Sequence, residues 1–349
     1  MGPYKLVEKG VSHDNSVMTT PFAPDAAAPP VTDTDHQLAM SGVVQLSHLG
    51  VIRAVGEEAA KFLQGQLTQD IAGLRQDRAC LAAFCNAKGR MQASFVVFKR
   101  SSDDILLVCS RDLLPQTVKR LSMFVMRAKV KLSDASDAFL LYGAAGAAAT
   151  ALGAINSEAA SAHIHWAKHD FDEQTTIQLY PGAGIDRVMW CAPAGTTPPA
   201  GPALLLCNWQ WLEVQAGIAM VTLPIFEAFV PQMLNYESIG GVNFKKGCYP
   251  GQEVVARSQF RGTLKRRAYV AHMRDASGND PQVGQEVYHE SDAEQPCGLV
   301  AASAADPAGG FAVILSMQTS AAAGLLTLGS SGGAALTLLP LPYPLLEDI

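Results

Sequence analysis

The sequence predicts an α+β protein that ends in a small domain of β-strands. Apolar runs typical of strands and amphipathic runs typical of helices are mixed without a regular strand–helix–strand repeat, which favours an α+β fold. After residue 267 the chain carries short apolar runs at even spacing, separated by glycine and proline, which is typical of a small barrel or sandwich. A chain of 349 residues is long enough for about two or three such units.

The apolar pattern predicts the elements in chain order. They are a strand pair over 43–56, a helix over 56–70, strands at Phe95–Phe98 and Ile105–Cys109, a helix at Leu113–Met123, a strand around Val130 and Leu132, and a helix at Trp209–Met220. Residues 143–162, rich in alanine and glycine, fit either a small-residue helix or a connection, and residues 236–267 are expected to be loop-like. Trp209 and Trp211 are expected in the core.

Composition and cysteine usage exclude several classes of protein. Hydrophobic residues make up 48% and charged residues 17% of the chain, which excludes a largely disordered protein. The seven cysteines form no C-x-x-C pair, which favours a reducing compartment over a disulfide scaffold. The N-terminus shows no signal peptide, and the uncharged stretch 307–346 is broken into runs too short for a membrane span. We therefore expect a soluble cytoplasmic protein without membrane attachment, in which residues 1–37 form a disordered tail.

The charges are distributed unevenly, although the net charge is only −6. Residues 75–131 carry 12 basic and four acidic side chains, and residues 245–267 carry seven basic and one acidic. Residues 268–349 carry one basic and nine acidic side chains. The two basic segments indicate either an anionic ligand or partner, or solvated faces whose charges are balanced between domains.

The segment 243–267 carries the residues with the clearest chemical potential. It contains the run Lys-Lys-Gly-Cys-Tyr-Pro-Gly-Gln-Glu at 245–253, in which Cys248 lies on a glycine-rich turn close to two lysines. Glycine and proline allow tight turns and a close approach of the backbone to a ligand, and a cationic neighbour favours the reactive thiolate. From the residues alone, Cys248 is either a functional thiol or one of several structural cysteines.

A close resemblance to the YgfZ family is carried by KKGCYPGQEVVAR, by FRGTLKRR after it and by FVPQMLN before it. The N-terminal region of the same family is similar to LSHLGVIRAVGEEAAKFLQGQLTQDI and FCNAKGRMQASFVVF, so the resemblance extends from about residue 43 to about residue 341. YgfZ proteins are folate-binding relatives of the glycine-cleavage T-protein (aminomethyltransferase), linked to iron–sulfur cluster assembly or repair. The resemblance implies a folate-binding core of two α+β subdomains over 38–267 and a C-terminal β-barrel over 268–349, arranged around a central channel for tetrahydrofolate.

The resemblance also implies which residues lie near that channel. Cys248 and Lys246 are the expected catalytic residues, with Lys246 assisting Cys248 as a redox or acceptor thiol beside the folate. The expected folate-binding residues are Gln232, Asn235, Gly247, Tyr249, Gly251, Gln252, Glu253 and Arg257. Arg257 and the basic residues around it suit the anionic glutamate tail of a folate, whose pterin needs hydrogen-bonding groups and whose linker needs apolar walls.

The sequence departs from the aminomethyltransferases at two acidic positions. Ala93 and Ser94 stand where an ungapped comparison expects the aspartates near the reactive nitrogen of the folate, and neither can serve as a carboxylate base. Ala183, in PGAGIDR, stands in the expected place of the acid that grips the pterin, with Asp186 nearby. These departures argue against glycine cleavage and leave open whether the protein is an enzyme.

The resemblance implies an accessory protein that binds tetrahydrofolate, or a one-carbon derivative of it, and supports iron–sulfur cluster assembly or repair. Its expected partners are iron–sulfur client proteins, including radical enzymes that modify tRNA. Two alternatives stay open: a folate-dependent one-carbon (aminomethyl or methyl) transferase, and, less favoured, a module that binds RNA or an anionic partner through the basic stretches. No metal site is expected, because His163, His165 and His169 lack further ligands and Cys80 and Cys85 are not spaced like an iron–sulfur ligand set.

Overall fold

The structure, a computed structural model, describes residues 1–2, 40–152, 165–260, 264–274 and 280–346. The disordered tail predicted over 1–37 lies outside the described residues, apart from its first two positions. His163 and the end of the alanine-rich stretch 143–162 also lie outside them.

The described residues form short strands and helices throughout. In chain order the strands are β1 (Gly42–Gln45), β2 (Leu49–Val55), β3 (Ala79–Cys85), β4 (Met91–Lys99), β5 (Asp104–Ser110), β6 (Lys131–Asp134), β7 (Phe139–Ala145), β8 (Lys168–Phe171), β9 (Gln174–Gln178), β10 (Arg187–Pro193), β11 (Arg266–Met273), β12 (Glu286–His289), β13 (Gly298–Ala305), β14 (Phe311–Gln318), β15 (Leu326–Leu328) and β16 (Ala335–Leu339). The α-helices are α1 (Ala59–Gln64), α2 (Leu114–Ser122), α3 (Ala147–Ala151), α4 (Leu206–Gln215) and α5 (Gln252–Phe260). Short 3-10 turns lie at Leu223–Ile225, Pro231–Leu234 and Thr319–Ala321.

The strands form two open antiparallel sheets and one barrel within the described ranges. The first sheet has the order β1–β7–β10–β9–β8, and the second has the order β3–β4–β5–β2–β6. Strands β11 to β16 close into a barrel in the order β11–β14–β13–β12–β15–β16. The predicted α+β class and the C-terminal barrel are therefore confirmed, and the sandwich alternative is excluded.

The second sheet is buried on both faces. Every residue of β3 and β4 is buried. Because side chains alternate along a strand, Leu81 and Val108 face a main core shared with the first sheet, α4 and the barrel, whereas Ala82 and Leu107 face α1 and α2. Trp209 belongs to the main core, as predicted, and is fully buried.

Several expected elements are confirmed, and two helices differ in length. The strands predicted at Phe95–Phe98 and Ile105–Cys109 lie within β4 and β5, and the helix predicted after them is α2. The helix predicted over 56–70 ends at Gln64, because Gly65 follows and glycine is a poor helix former. The helix predicted at Trp209–Met220 is α4, which begins three residues earlier and ends before Gly217, a glycine with φ of 67°.

The prediction of a loop over 236–267 was wrong for its centre, which forms α5. The helix starts directly after Gly251, whose φ of 80° turns the chain, and it contains neither glycine nor proline. Val255 and Gln259, four residues apart, are its buried positions. Packing of this one face stabilises a nine-residue helix that its propensity alone would not.

A buried asparagine joins the core to the barrel. Asn235 adopts a left-handed conformation with φ of 58° after the 3-10 turn Pro231–Leu234. Its side-chain Oδ1 accepts from the backbone N–H of Ala268 at 3.1 Å, and its Nδ2 donates to the Ala268 carbonyl at 2.9 Å. The same Nδ2 donates to the Tyr343 hydroxyl at 3.3 Å, so both N–H groups of the amide are used. Asn235 therefore bonds both the barrel strand β11 and the C-terminal segment to the core, next to a second buried link, the Arg267–Glu237 ion pair at 2.7 Å.

Candidate functional site

The loop at residues 245–251, called the motif loop below, packs against the β3–β4 turn through two glycines. A Cβ atom on Gly251 would lie 2.4 Å from the carbonyl oxygen of Asn86 and 2.6 Å from the Cα of Gly89. Gly89 itself has a φ of 72°, and the Asn86 side chain accepts from two backbone N–H groups within the same turn. The close approach of two backbones therefore requires glycine at both positions. It brings together FCNAKGR and KGCYPG, two segments far apart in sequence.

Cys248 is one of two exposed thiols. Cys207 is the other, and the remaining five cysteines are buried. Burial raises the pKa of Cys80, Cys85, Cys109 and Cys191 to about 12, so these thiols stay protonated and unreactive. Cys248 is therefore accessible to another macromolecule, on a loop whose position is fixed by the glycine contact.

Lys246 anchors the motif loop to the end of α1. Its ammonium donates hydrogen bonds to the carbonyl oxygens of Gln64 and Leu67, the second at 2.5 Å, and lies 5.0 Å from the ring centre of Tyr249. Burial of the amine lowers the pKa of Lys246 to about 8. The donor contacts of Lys246 are thus with the last residue of α1 and the turn after it, and its predicted assistance to Cys248 stays a prediction.

The other predicted residues occupy different surroundings. Gly247 is exposed, and a Cβ there would meet no atom within 4 Å. Tyr249 is buried, whereas Glu253 and Arg257 form an exposed ion pair of 2.6 Å one turn apart on α5, which Gln252 begins. Buried Gln232 donates from Nε2 to the Val255 carbonyl at 2.7 Å, which attaches α5 to the core.

A narrow cavity lies between the two sheets and α4. Its volume is about 50 Å³, or about 520 Å³ with the open space at its mouth, so entry of a bicyclic ring requires the lining side chains to separate. The walls are mostly apolar and aromatic, including Leu81, Val96, Trp166, Tyr180 and Trp209. The lining residues in the described ranges do not include 245–253. The cavity and the thiol loop are therefore lined by different parts of the chain.

Glu213 and Arg187 are the charged residues among the described residues that line this cavity. Burial alone would raise the pKa of Glu213, but a hydrogen bond from His48 and the charges of His48 and Arg187 outweigh it and lower the pKa. The carboxylate accepts from Trp209 Nε1 at 2.9 Å and lies 3.2 Å from His48 Nε2. Glu213 is therefore an ionised hydrogen-bond acceptor against an aromatic wall.

Arg187 contributes donors to the same cavity. Its Nε donates to the Tyr180 carbonyl at 3.0 Å, and its guanidinium lies 5.1 Å from the Trp209 ring centre. Burial lowers the pKa of Arg187 to about 10, which still leaves it charged at neutral pH. Its Nη1 is buried and has no hydrogen-bond partner within the described residues. A buried donor of this kind is costly unless a ligand or water satisfies it.

The sequence analysis missed Glu213 and looked for an acid on the turn PGAGIDR, residues 181–187, instead. Gly182 of that turn packs so closely on α4 that a Cβ would lie 2.2 Å from the Leu212 carbonyl oxygen. Helix α4 therefore brings the carboxylate of Glu213 to this turn, whereas Ala183 on the turn itself carries no acid. One signal was present, because Glu213 is the only charged residue between Arg187 and Glu227.

The two positions that lack aspartates are buried in the second sheet. Ser94 Oγ accepts from the backbone N–H of Val221 at 2.8 Å, and Ala93 packs on the opposite face among the residues under α1 and α2.

No group of three or more His, Cys, Asp or Glu side chains in the described part of the chain is arranged to hold a metal ion. None of the helices in the described ranges has the length and apolar character of a membrane-spanning helix.

Comparisons with known proteins identify the fold. Residues 20–179 match the family model described as the GCVT N-terminal domain. The crystal structure of glycine cleavage system aminomethyltransferase T from Bartonella henselae superposes with a TM-score of 0.62, covering 90% of each chain at 14% sequence identity. The chain therefore has the T-protein fold.

Sequence relatives specify the family. The chain is 30% identical over 315 residues to the tRNA-modifying protein YgfZ of Cronobacter sakazakii, covering 87% of this chain and 94% of that protein. It is 29% identical over 340 residues to the tRNA-modifying protein YgfZ of Yersinia enterocolitica, covering 94% of this chain and 98% of that protein. The chain belongs to the YgfZ family, which confirms the resemblance carried by its sequence motifs.

Substitution of Gly251 by alanine is expected to loosen the motif loop. A Cβ there meets the Asn86 carbonyl at 2.4 Å on a backbone with φ of 80°. We expect Gly251→Ala to lower the free energy of unfolding by about 1–3 kcal/mol and to speed alkylation of Cys248. Gly247→Ala is the matched control, because a Cβ there meets nothing, and should change stability by less than about 0.5 kcal/mol. Equal effects of the two substitutions would contradict the proposed glycine contact.

Lys246 is expected to make stability depend on pH above 8. Its pKa is about 8 when folded and 10.5 as the reference value, so the unfolded chain binds more protons between these limits. The natural protein should therefore gain stability relative to Lys246→Met as the pH rises from 8 to 10.5, measured as the difference between their free energies of unfolding. The rise should be about 1–2 kcal/mol, because solvent screens this half-buried amine. Urea unfolding across this range measures it, with Lys245→Met as the exposed control; a pH-independent difference would contradict the assignment.

Proposed function

We propose that this protein binds tetrahydrofolate, or a one-carbon derivative of it, and supports the assembly or repair of iron–sulfur clusters. Its clients would include radical enzymes that modify tRNA, and Cys248 would be its functional thiol. Two findings support this direction: the family model is that of the GCVT N-terminal domain, and the curated relatives are named tRNA-modifying proteins. The free, buried cysteines suit a reducing compartment, so we place the protein in the cytoplasm.

The observation that carries the folate proposal is the cavity between the sheets. A pterin is flat and carries N–H donors and ring acceptors along its edge. Glu213 supplies a charged acceptor, and Arg187 Nη1 supplies a buried donor without a partner in the described residues. The rings of Trp166, Tyr180 and Trp209 supply apolar walls. The hydrogen-bonding groups and walls suit a pterin once the lining side chains separate, and the bound folate would supply the capacity to carry a one-carbon group.

In this proposal the motif loop holds a reactive thiol at a fixed position. Lys246 and Gly251 hold the loop in place, and Cys248 remains accessible on it. In thiol–disulfide exchange, the Cys248 thiolate would attack a client disulfide, forming one sulfur–sulfur bond while the other breaks and a client thiolate leaves. None of the eight residues predicted to bind folate lines the cavity, and their roles stay predictions: Gln232, Asn235, Gly247, Tyr249, Gly251, Gln252, Glu253 and Arg257.

A one-carbon transferase is the weaker alternative. Ser94 stands where an aspartate is expected, and its hydroxyl is already bonded to the Val221 backbone N–H. Neither Ala93 nor Ser94 supplies a carboxylate base for proton transfer. Folate-dependent turnover of an amine or methylated substrate by the purified protein would favour this alternative.

Binding of tetrahydrofolate is tested by calorimetric titration under anaerobic, reducing conditions. We expect saturable one-to-one binding that weakens by about 10–100-fold in Glu213→Gln, because a hydrogen bond to a charged acceptor is lost. Cys248→Ala is the matched control and should bind as tightly as the natural protein, since the thiol lies outside the cavity lining. Absence of binding, or equal affinity of the Glu213→Gln variant, would refute the proposed folate site.

The thiol role is tested by rescue of a strain that lacks the protein. We expect Cys248→Ala to fail in rescue while its unfolding curve and folate affinity stay unchanged. Cys207→Ala, which removes the other exposed thiol, should rescue fully. Full rescue by Cys248→Ala would remove the thiol from the proposed function and leave folate binding untouched.

A further inference from the structure

A second pocket lies on the outer side of α5, next to the start of the barrel. Its volume is about 450 Å³, within the range of about 300–1,000 Å³ that small-molecule sites occupy. It is lined by Gln232, Arg257, Ser258, Lys265 and Arg266, together with apolar side chains. Among the described residues, none lines both this pocket and the narrow cavity between the sheets.

Three cations face this pocket. Arg257 has one exposed acidic partner, Glu253, and an exposed ion pair of this kind is worth only about 0–1 kcal/mol, so an anion can displace it. Arg266 donates one guanidinium hydrogen bond to the Cys297 carbonyl at 3.2 Å, and Lys265 is exposed. The pocket therefore favours an anionic group, and two arginines suit the geometry of phosphate oxygens.

Gln232 adds a requirement for a hydrogen-bond donor. The residue is 1% exposed, and its Nε2 is oriented by the Val255 carbonyl at 2.7 Å. That bond fixes Oε1 as the remaining acceptor, and Oε1 has no hydrogen-bond partner within the described residues. Because an unsatisfied buried acceptor is costly, a ligand whose hydroxyl or N–H group reaches Oε1 when the covering side chains move gains affinity.

An exposed aromatic ring lies one turn after Arg257 on the same helix. Phe260, three residues after Arg257 on α5, is 50% exposed. Its ring meets Phe244 edge-on, with centroids 5.3 Å apart at 71°. Cations next to an exposed ring are the combination with which proteins bind single-stranded nucleic acid, since phosphates pair with the charges and bases stack on the ring.

We propose that this pocket binds single-stranded RNA. Arg257, Lys265 and Arg266 pair with phosphate oxygens, Gln232 Oε1 accepts from a ribose 2′-hydroxyl, and a base stacks on Phe260. An acidic peptide would satisfy the cations, and its N–H groups could donate to Gln232, but it carries no nucleobase to stack on Phe260. The proposal is independent of folate binding, because the two cavities have separate linings.

Fluorescence anisotropy with a short labelled oligouridylate and the full chain tests this proposal over a range of salt concentrations. Arg257→Gln, Lys265→Gln and Arg266→Gln should each weaken binding and reduce the slope of log K against log salt by about 0.7. Phe260→Ala should weaken binding by about 5- to 150-fold through lost stacking. The oligodeoxynucleotide of the same sequence should bind less tightly. Lys119→Gln, an exposed lysine of the other basic segment, is the control and should leave affinity unchanged.

Several results would overturn the proposal. One is unchanged RNA affinity in both Arg257→Gln and Phe260→Ala, and another is a loss confined to Lys119→Gln. Equal displacement of the RNA by uridine monophosphate would make the pocket a nucleotide site, and equal displacement by an oligoglutamate peptide would make it a carboxylate site. Displacement by tetrahydrofolate would assign the pocket to the folate tail and overturn the RNA proposal without affecting folate binding. Conversely, a failed folate titration leaves the RNA result standing.

Discussion

The hydrogen bonds of a single buried amide, that of Asn235, hold the parts of this molecule in register. The amide pairs with both backbone groups of Ala268, as a neighbouring strand would, and so attaches the barrel to the core. It also donates to the Tyr343 hydroxyl, which in turn donates to the carbonyl of Gly217 at 2.7 Å, just beyond the end of α4. The helix that carries Glu213, the first strand of the barrel and the C-terminal segment are therefore joined through one network. Networks of this kind specify a unique arrangement, because each buried polar group loses its partner if the parts shift.

The same short segment of chain also positions α5. Gln232 lies three residues before Asn235 and bonds to the Val255 carbonyl in the helix. On the opposite side, Gly251 sits against the Gly89 turn of the second sheet, and Lys246 is tied to the end of α1. The motif is thus held from three directions, at Lys246, Gly251 and Val255. We infer that the exposed Cys248 is the part of the motif left for chemistry, and that its neighbours keep its position constant.

The sequence predicted the features that depend on neighbouring residues and missed those that depend on residues far apart in the chain. The glycine-rich turn, the barrel strands and α2 follow from local patterns of glycine spacing and apolar periodicity, and these were confirmed. Helix α5 was missed because its stability depends on burial of Val255 and Gln259 against distant residues rather than on its own propensity. Glu213 was missed for a similar reason. Its ionised state is set by His48, which is 165 positions away in sequence, and by Arg187 on a strand of the first sheet.

The separation of the thiol from the cavity constrains the chemistry that one protein of this fold can perform. A T-protein-like transferase needs an acid or base beside the folate, but the two positions where the sequence suggests one hold Ala93 and Ser94, both buried and without a carboxylate. The central cavity instead offers a fixed acceptor in Glu213 and a fixed donor in Arg187, which suit recognition of a ring more than proton transfer. Cys248 lies outside that lining and is exposed, so in the proposed thiol chemistry it would be open to a second macromolecule that docks at the loop. Folate binding and thiol chemistry would then be coupled through elements such as α1, the second sheet and the Asn235 network, rather than by direct contact.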